Sequence, residues 1–105
     1  MDTTLLDDVE LRRKWYSMNI ETQISNIGSE VNRAIKWEQK GNKERARSFC
    51  DKAKELLQIS IEDPKNRGRV GELYNCICEL DDRFWGDNRY NTTDDMLRKY
   101  YDAFL

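Results

Sequence analysis

The chain has 105 residues, of which 36% are charged and 38% hydrophobic, with one proline and five glycines; this composition is typical of one all-α domain, which we place at residues 1–105. The sequence contains no histidine, which excludes Ser-His and Cys-His nucleophile pairs, histidine-based proton transfer and the Glu-x-x-His di-iron motif of helical bundles. The net charge of −2 disfavours a dedicated nucleic-acid-binding protein, although a local basic face can suffice.

A first helix is predicted from about Thr4 to Tyr16. Thr4 and Asp7 have the spacing of a capping box at its start. The stretch S-M-N at positions 17–19 can either end this helix or lie inside a longer one. The sequence therefore leaves open whether the first and second helices are continuous.

The second helix, at about 19–40, has the clearest pattern. Hydrophobic residues recur at spacings of three and four, which indicates one buried face. Gly28 interrupts this helix at a cost of about 1 kcal/mol relative to alanine, so we expect another helix to come close there. Gly41 is placed to form the left-handed cap at its end. The predicted buried residues are Ile20, Ile24, Ile27, Val31, Ala34 and Ile35.

The third helix is predicted at about 43–61 and forms a hairpin with the second. Asn42 precedes it and can cap its first turn. Pro64 disfavours helical geometry at the residue before it, so the helix should end there. Its predicted apolar face contains Ala46, Phe49, Cys50, Ala53, Leu56, Leu57 and Ile61.

Two further helices complete the chain. The fourth is predicted at about 67–85, with Gly86 ending it and a turn-rich G-D-N-R-Y-N loop after it. The last helix is predicted to begin with Thr92 as its cap. The predicted apolar residues are Val70, Leu73, Tyr74, Ile77, Leu80 and Phe84 in the fourth helix and Met96, Leu97, Tyr100, Tyr101 and Phe104 in the last.

No segment alternates between apolar and polar residues with period two, so no strand is predicted. Because short connections make consecutive helices antiparallel neighbours, the sequence predicts an up-and-down antiparallel bundle. It has about four main helices and a short C-terminal helix laid across them.

A polar row runs along one border of the apolar face of the second helix. It contains Asn26, Glu30, Arg33 and Trp37. The row can face solvent with Glu30 and Arg33 as an ion pair, or bond to a neighbouring helix or loop and fix the register of the bundle. It can also line a groove for a ligand or partner, anchored by Arg33 and Trp37, which are residue types enriched at binding hot spots.

We interpret this row as part of the architecture first and as a binding surface second. The loop residues that could complete such a network or site are Asp87, Asn88 and Tyr90.

A basic stretch follows the row. Seven cations lie between positions 36 and 54 against three acids, and five of them form a candidate basic face: Lys36, Lys40, Lys43, Arg45 and Arg47. Such runs are usually solvated helix faces. The same cations could also bind RNA, with steep salt dependence.

No cofactor or metal site is predicted. The chain has three cysteines, Cys50, Cys76 and Cys78. Because their number is odd and no signal peptide is predicted, we expect reduced thiols in a cytoplasmic protein. No apolar run approaches the roughly 20 residues that cross a bilayer, so no membrane association is expected.

Three motifs resemble a family of small, uncharacterised prokaryotic proteins. They are N-I-G-S-E-V-N-R-A-I-K-W at 26–37, the K-G-N turn at 40–42, and G-D-N-R-Y at 86–90 before an aromatic-rich helix. The resemblance covers most of the chain after position 15. It implies an all-helical domain and no known activity.

These observations favour a non-catalytic interaction module that binds another protein or itself through an aromatic-bearing helix face. Six aromatic residues near helix ends motivate this prediction: Trp15, Tyr16, Trp85, Tyr90, Tyr100 and Tyr101. RNA binding through the basic face is the main alternative. A third is a small-ligand or enzymatic site that uses Glu30, Arg33 and Asp87.

Overall fold

The structure is a computed structural model that describes residues 9–104. This part of the chain contains five α-helices and one 3₁₀ segment joined by turns and loops, and no strand is present in it, which confirms the all-α prediction. The predicted capping box at Thr4 and Asp7 lies outside the described residues. The elements are α1 (Val9–Tyr16), α2 (Ile20–Gln39), α3 (Lys43–Glu62), a 3₁₀ segment (Pro64–Arg69), α4 (Val70–Phe84) and α5 (Asp94–Asp102).

The first and second helices are separate. The chain leaves helical geometry after Tyr16, and Asn19 adopts an extended conformation while its side chain accepts a hydrogen bond from the backbone N–H of Thr22 at 2.8 Å. Because the side chain replaces a missing backbone partner, it starts a new helix at Ile20. The question that the sequence left open is thereby answered.

The hairpin of α2 and α3 forms the centre of the bundle. Gly41 has φ +84, which only glycine adopts readily, and Asn42 accepts a hydrogen bond from the N–H of Arg45 at 3.0 Å. Both predicted turn signals are confirmed. The residues buried between these helices include Ile24, Ile27, Val31, Ala34 and Ile35 of α2 and Ala46, Cys50, Ala53, Leu56 and Leu57 of α3.

The connection from α3 to α4 contains a 3₁₀ turn that was not predicted from the sequence. Asp63 is extended, as Pro64 requires, but residues 64–69 then form a 3₁₀ turn before α4 begins at Val70. The predicted start near position 67 was therefore early, because a 3₁₀ turn resembles the beginning of an α-helix in local sequence.

Three residues predicted to be on the apolar faces are exposed. Tyr74 is 59% exposed, Met96 50% and Val70 37%, so their predicted burial was wrong. The face of α4 that meets the core is instead the row of Leu73, Cys76, Leu80 and Phe84. Tyr74 follows Leu73 by one residue, which turns it by about 100° away from this face.

The short helix α5 is attached to α2 and α4. Arg83 binds Glu38 of α2 and Asp94 of α5, the second at 2.9 Å. Further along α5, Tyr101 covers Gly28, and a Cβ atom added to Gly28 would lie 2.8 Å from the Cβ of Tyr101. The predicted close helix approach at Gly28 is confirmed.

The loop between α4 and α5 is held by side chains. The Asp82 carboxylate accepts hydrogen bonds from the N–H groups of Arg89 and Tyr90 at 2.9 and 3.0 Å. The side chain of Asn88 accepts from the N–H of Thr92 at 2.9 Å and donates to its carbonyl at 3.1 Å.

The cap of α5 is Thr93, whose hydroxyl accepts a hydrogen bond from the N–H of Met96 at 3.1 Å. The prediction of Thr92 as the cap was wrong by one residue. Thr92 is buried instead, because the loop bends at Asn88 and Asn91, both with φ 53, and turns it inward.

Candidate functional site

The polar row of α2 is divided between two places. Glu30 and Arg33 form an ion pair at 2.7 Å, with Glu30 14% and Arg33 55% exposed. Asn26 is exposed and donates to the sulfur of Met18 at 3.5 Å. These three residues face a groove, whereas Trp37 lies at the α2–α3 turn between two cations.

The groove lies where α1, α2 and α3 meet, and we call it the α1–α2–α3 groove. Its volume is about 440 Å³. It combines apolar side chains with three cations and one acid. The lining residues are Leu11, Lys14, Trp15, Met18, Asn26, Ser29, Glu30, Arg33, Lys52 and Leu56.

The loop residues predicted to complete this site lie elsewhere. Asp87, Asn88 and Tyr90 do not line the α1–α2–α3 groove. Asp87 and Tyr90 are exposed, and Asn88 uses its side chain to hold the loop. A site that joins Glu30, Arg33 and Asp87 is therefore not formed in this conformation.

One of the five cations of the candidate basic face is used in contacts within the fold. Arg47 donates to the carbonyl of Phe84 at 3.0 Å, and its guanidinium lies 4.6 Å from the centre of the Trp85 ring. Arg47 thus joins α3 to the end of α4. The remaining four cations, Lys36, Lys40, Lys43 and Arg45, are exposed and have no acidic partner within residues 9–104.

Two of these cations flank one aromatic ring. The Nζ of Lys40 lies 4.9 Å and the guanidinium carbon of Arg45 4.7 Å from the centre of the half-buried Trp37 ring. Cations at this distance are attracted by the ring, by about 0.5–1 kcal/mol at exposed sites. The contacts fix the positive charges at the α2–α3 turn.

A buried polar network, which the sequence analysis missed, holds the opposite end of the bundle. Gln23 is fully buried, and its amide donates to the Trp15 carbonyl at 2.9 Å and to Asp63 at 3.0 Å. Asn66 donates to Gln23 at 2.7 Å. The Trp15 indole donates to Ser60 at 2.8 Å. These bonds join α1, α2, α3 and the 3₁₀ segment.

The charge in this network belongs to Asp63, which is paired with Lys65. Burial by itself would raise the pKa of Asp63, but hydrogen bonds from Lys65 and Gln23 outweigh burial and hold the pKa below its ordinary value. The network therefore stabilises an ionised carboxylate inside the fold. Its role is structural, because the bonds of Gln23, Asn66 and Trp15 link different elements of the fold.

A group of exposed and half-buried side chains lies on α4, the following loop and α5. We call it the α4–α5 patch and define it as Tyr74, Cys78, Glu79, Tyr90 and Met96. Tyr74 and Tyr90 are each 59% exposed. Cys78 follows Tyr74 by four residues, which puts both on the same side of α4.

Glu79 is shared by two depressions of the patch. It lines one depression with Cys78 and Tyr90 and a second, of about 130 Å³, with Met96 and Thr92. The hydroxyl of Thr92 is buried at the second depression and has no hydrogen-bond partner in the described part of the chain.

Comparisons with known proteins found no matching family model, no matching curated protein and no matching solved structure. Within residues 9–104, no helix combines the length and the apolar character needed to cross a membrane. In the same range, no group of three or more Cys, Asp or Glu side chains is arranged to hold a metal ion.

Proposed function

We propose that this protein is a non-catalytic module that binds another protein through the α4–α5 patch. The observation that carries the proposal is the exposure of three large side chains, Tyr74 on α4, Tyr90 on the loop after it and Met96 on α5. Tyr90 and Met96 each line a depression together with Glu79. Single exposed apolar residues are ordinary, but clusters mark interaction sites. Tyrosine and methionine are also enriched in protein interfaces.

The charge of the patch indicates the chemistry of the partner. Glu79 has no ion-pair partner among the described residues, and it lines one depression with Tyr90 and another with Met96. A partner that covers Tyr90 and Met96 also covers this carboxylate. We therefore expect the partner to present apolar side chains around a lysine or arginine, because an unpaired buried charge would oppose binding.

The unpartnered hydroxyl of Thr92 supports the same surface. Buried polar groups in native proteins almost always have a hydrogen-bond partner. A polar group of the partner that enters the depression of about 130 Å³ beside Met96 could bond to this hydroxyl. Such a contact would add specificity to the apolar ones.

Affinity purification of the tagged native protein tests this proposal. Tyr74→Asp and Met96→Asp should each abolish the capture of a bound protein. Val9→Asp is the matched control, because Val9 is 68% exposed and lies on α1 rather than in the patch. Equal capture by all four proteins would refute the proposal.

Light scattering decides between a second copy and a different partner. A dimer that Met96→Asp converts to a monomer would identify the partner as another copy of this chain. A monomeric native protein that captures nothing would refute the proposal as well.

RNA binding is a second candidate function, which the cations at the α2–α3 turn favour. Lys36, Lys40, Lys43 and Arg45 are exposed and unpaired within the described residues, and two of them are fixed on Trp37. If all four cations contact phosphates, a plot of the logarithm of the association constant for single-stranded RNA against the logarithm of the salt concentration should have a slope of about −3. Each phosphate contact contributes roughly −0.7 to this slope.

An electrophoretic mobility assay with a single-stranded RNA tests this candidate. Lys40→Glu and Arg45→Glu should each remove binding at low salt, whereas Arg98→Glu on α5 serves as the control. Absence of binding at low salt would refute it.

We also propose that the protein acts in the cytoplasm and belongs to the family of small prokaryotic helical proteins. The free thiols of Cys50, Cys76 and Cys78 support the location. The family is supported by a contact between two parts of the resemblance: Gly28 of the first motif meets Tyr101 on the aromatic-rich helix that follows the third.

A further inference from the structure

We propose that the α1–α2–α3 groove binds an amphipathic organic anion, namely a carboxylate with an aliphatic or aromatic body. This site is separate from the α4–α5 patch, and neither proposal depends on the other. It follows from the division of the groove into an apolar floor and a rim with excess positive charge.

The floor consists of Leu11, Trp15, Met18 and Leu56. The indole N–H of Trp15 is already bonded to Ser60 at 2.8 Å. The ring therefore offers only carbon atoms to a ligand. An apolar ligand body placed here would be removed from water on one side by about four side chains, which favours binding by roughly 25 cal/mol per Å² of apolar surface.

The rim carries three cations against one acid. Lys14 and Lys52 have no acidic partner within residues 9–104, and Arg33 is paired only with Glu30. An anionic group at the rim can approach both lysines without displacing an existing ion pair. The excess of positive charge thus selects an anion over a neutral or cationic ligand of the same shape.

Glu30 determines how strong this selection is. One of its oxygens binds Arg33 at 2.7 Å, and the other is buried without a hydrogen-bond donor among the described residues. The carboxylate repels an incoming anion and also competes with it for Arg33. Neutralising Glu30 should consequently strengthen anion binding, an effect that simple adsorption of an apolar molecule would not show.

The size of the groove fits a small molecule. Its volume of about 440 Å³ lies in the range of small-molecule sites, about 300–1,000 Å³. Sites of this kind are common between the helices of bundles.

Calorimetric titration with decanoate, with decan-1-ol as the uncharged comparison, tests the proposal. Decanoate should bind more tightly than decan-1-ol. The double variant K14A/K52A should weaken decanoate binding about tenfold, the factor that corresponds to 1.4 kcal/mol. The matched control K36A/K43A, which removes two exposed lysines outside the groove, should leave it unchanged.

Glu30→Gln should tighten decanoate binding several-fold, and amide spectra should show the Trp15 indole signal shifting during the titration. The proposal is overturned if decanoate does not bind the folded protein, if both double variants lose affinity equally, or if Glu30→Gln weakens binding. A shift confined to Tyr74, Tyr90 and Met96 would also overturn it.

Discussion

Replacing Gly28 by alanine should destabilise the protein, although alanine is the better helix former. The added Cβ would lie 2.8 Å from the Cβ of Tyr101, and two carbon atoms cannot approach so closely. The Cβ of Tyr101 is attached directly to the backbone of α5. A rotation of the tyrosine ring cannot relieve the clash, so α5 itself must move away from α2.

Two opposing contributions set the size of the effect. Alanine gains about 1 kcal/mol over glycine inside a helix. Overfilling a packed contact costs about 1–3 kcal/mol. We therefore expect Gly28→Ala to lose about 1 kcal/mol of unfolding free energy. In a domain of this size this loss lowers the melting temperature by about 4–8 °C.

Gly71→Ala is the matched control. Gly71 is an exposed glycine in α4, and a Cβ atom added to it meets no atom within 4 Å. This substitution should gain up to about 1 kcal/mol from helix propensity. Urea unfolding followed by circular dichroism measures both variants. If Gly28→Ala is as stable as Gly71→Ala, α5 does not approach α2 as described.

Three further predictions concern the polar groups of the fold. Gln23→Leu should lower the free energy of unfolding, measured in urea, by on the order of 2 kcal/mol because it leaves buried partners unbonded. Asn26→Ala, at an exposed site one turn away, should lower it little. Equal losses in the two variants would contradict a buried network. Because the pKa of Asp63 is lowered in the folded state, its carboxylate stabilises the fold above the unfolded pKa of about 3.9, and this stability is lost as the pH falls through the folded value. Asp63→Asn should therefore show a shallower loss of stability in acid than the native protein, and parallel curves would refute the coupling. Thr93→Ala should lower the free energy of unfolding by about 1 kcal/mol because it removes a helix cap. Thr92→Val should be neutral or stabilising because it removes an unbonded buried hydroxyl. If thermal melts show Thr92→Val to be the less stable variant, Thr92 is the cap.

The elements of this fold were predictable from the sequence because their signals are local. Gly41, Asn42 and Pro64 each act on the backbone within a few residues, and the structure places a helix end or start at each. Gly28 is also informative alone, because a glycine inside a helix needs a packing reason. The predicted helix boundaries agree with the observed ones within a few residues for the same reason.

The polar contacts were much less predictable because they join residues that are distant in sequence. Gln23 meets Asn66 across 43 positions, and no pattern near Gln23 indicates that its amide is buried. The exposure of Tyr74 and Met96 depends on which other helices pack against α4 and α5. This packing is a property of the assembled bundle and not of either helix alone.

The side-chain bonds that hold the α4–α5 loop have a consequence for the affinity of any complex formed there. Asp82 binds the N–H of Tyr90, and Asn88 binds Thr92 through two hydrogen bonds. The backbone that carries Tyr90 is therefore ordered before a partner arrives. Ordering one residue costs about 1–2 kcal/mol. Because folding has already met that cost, more of the contact energy at Tyr90 is retained as binding free energy.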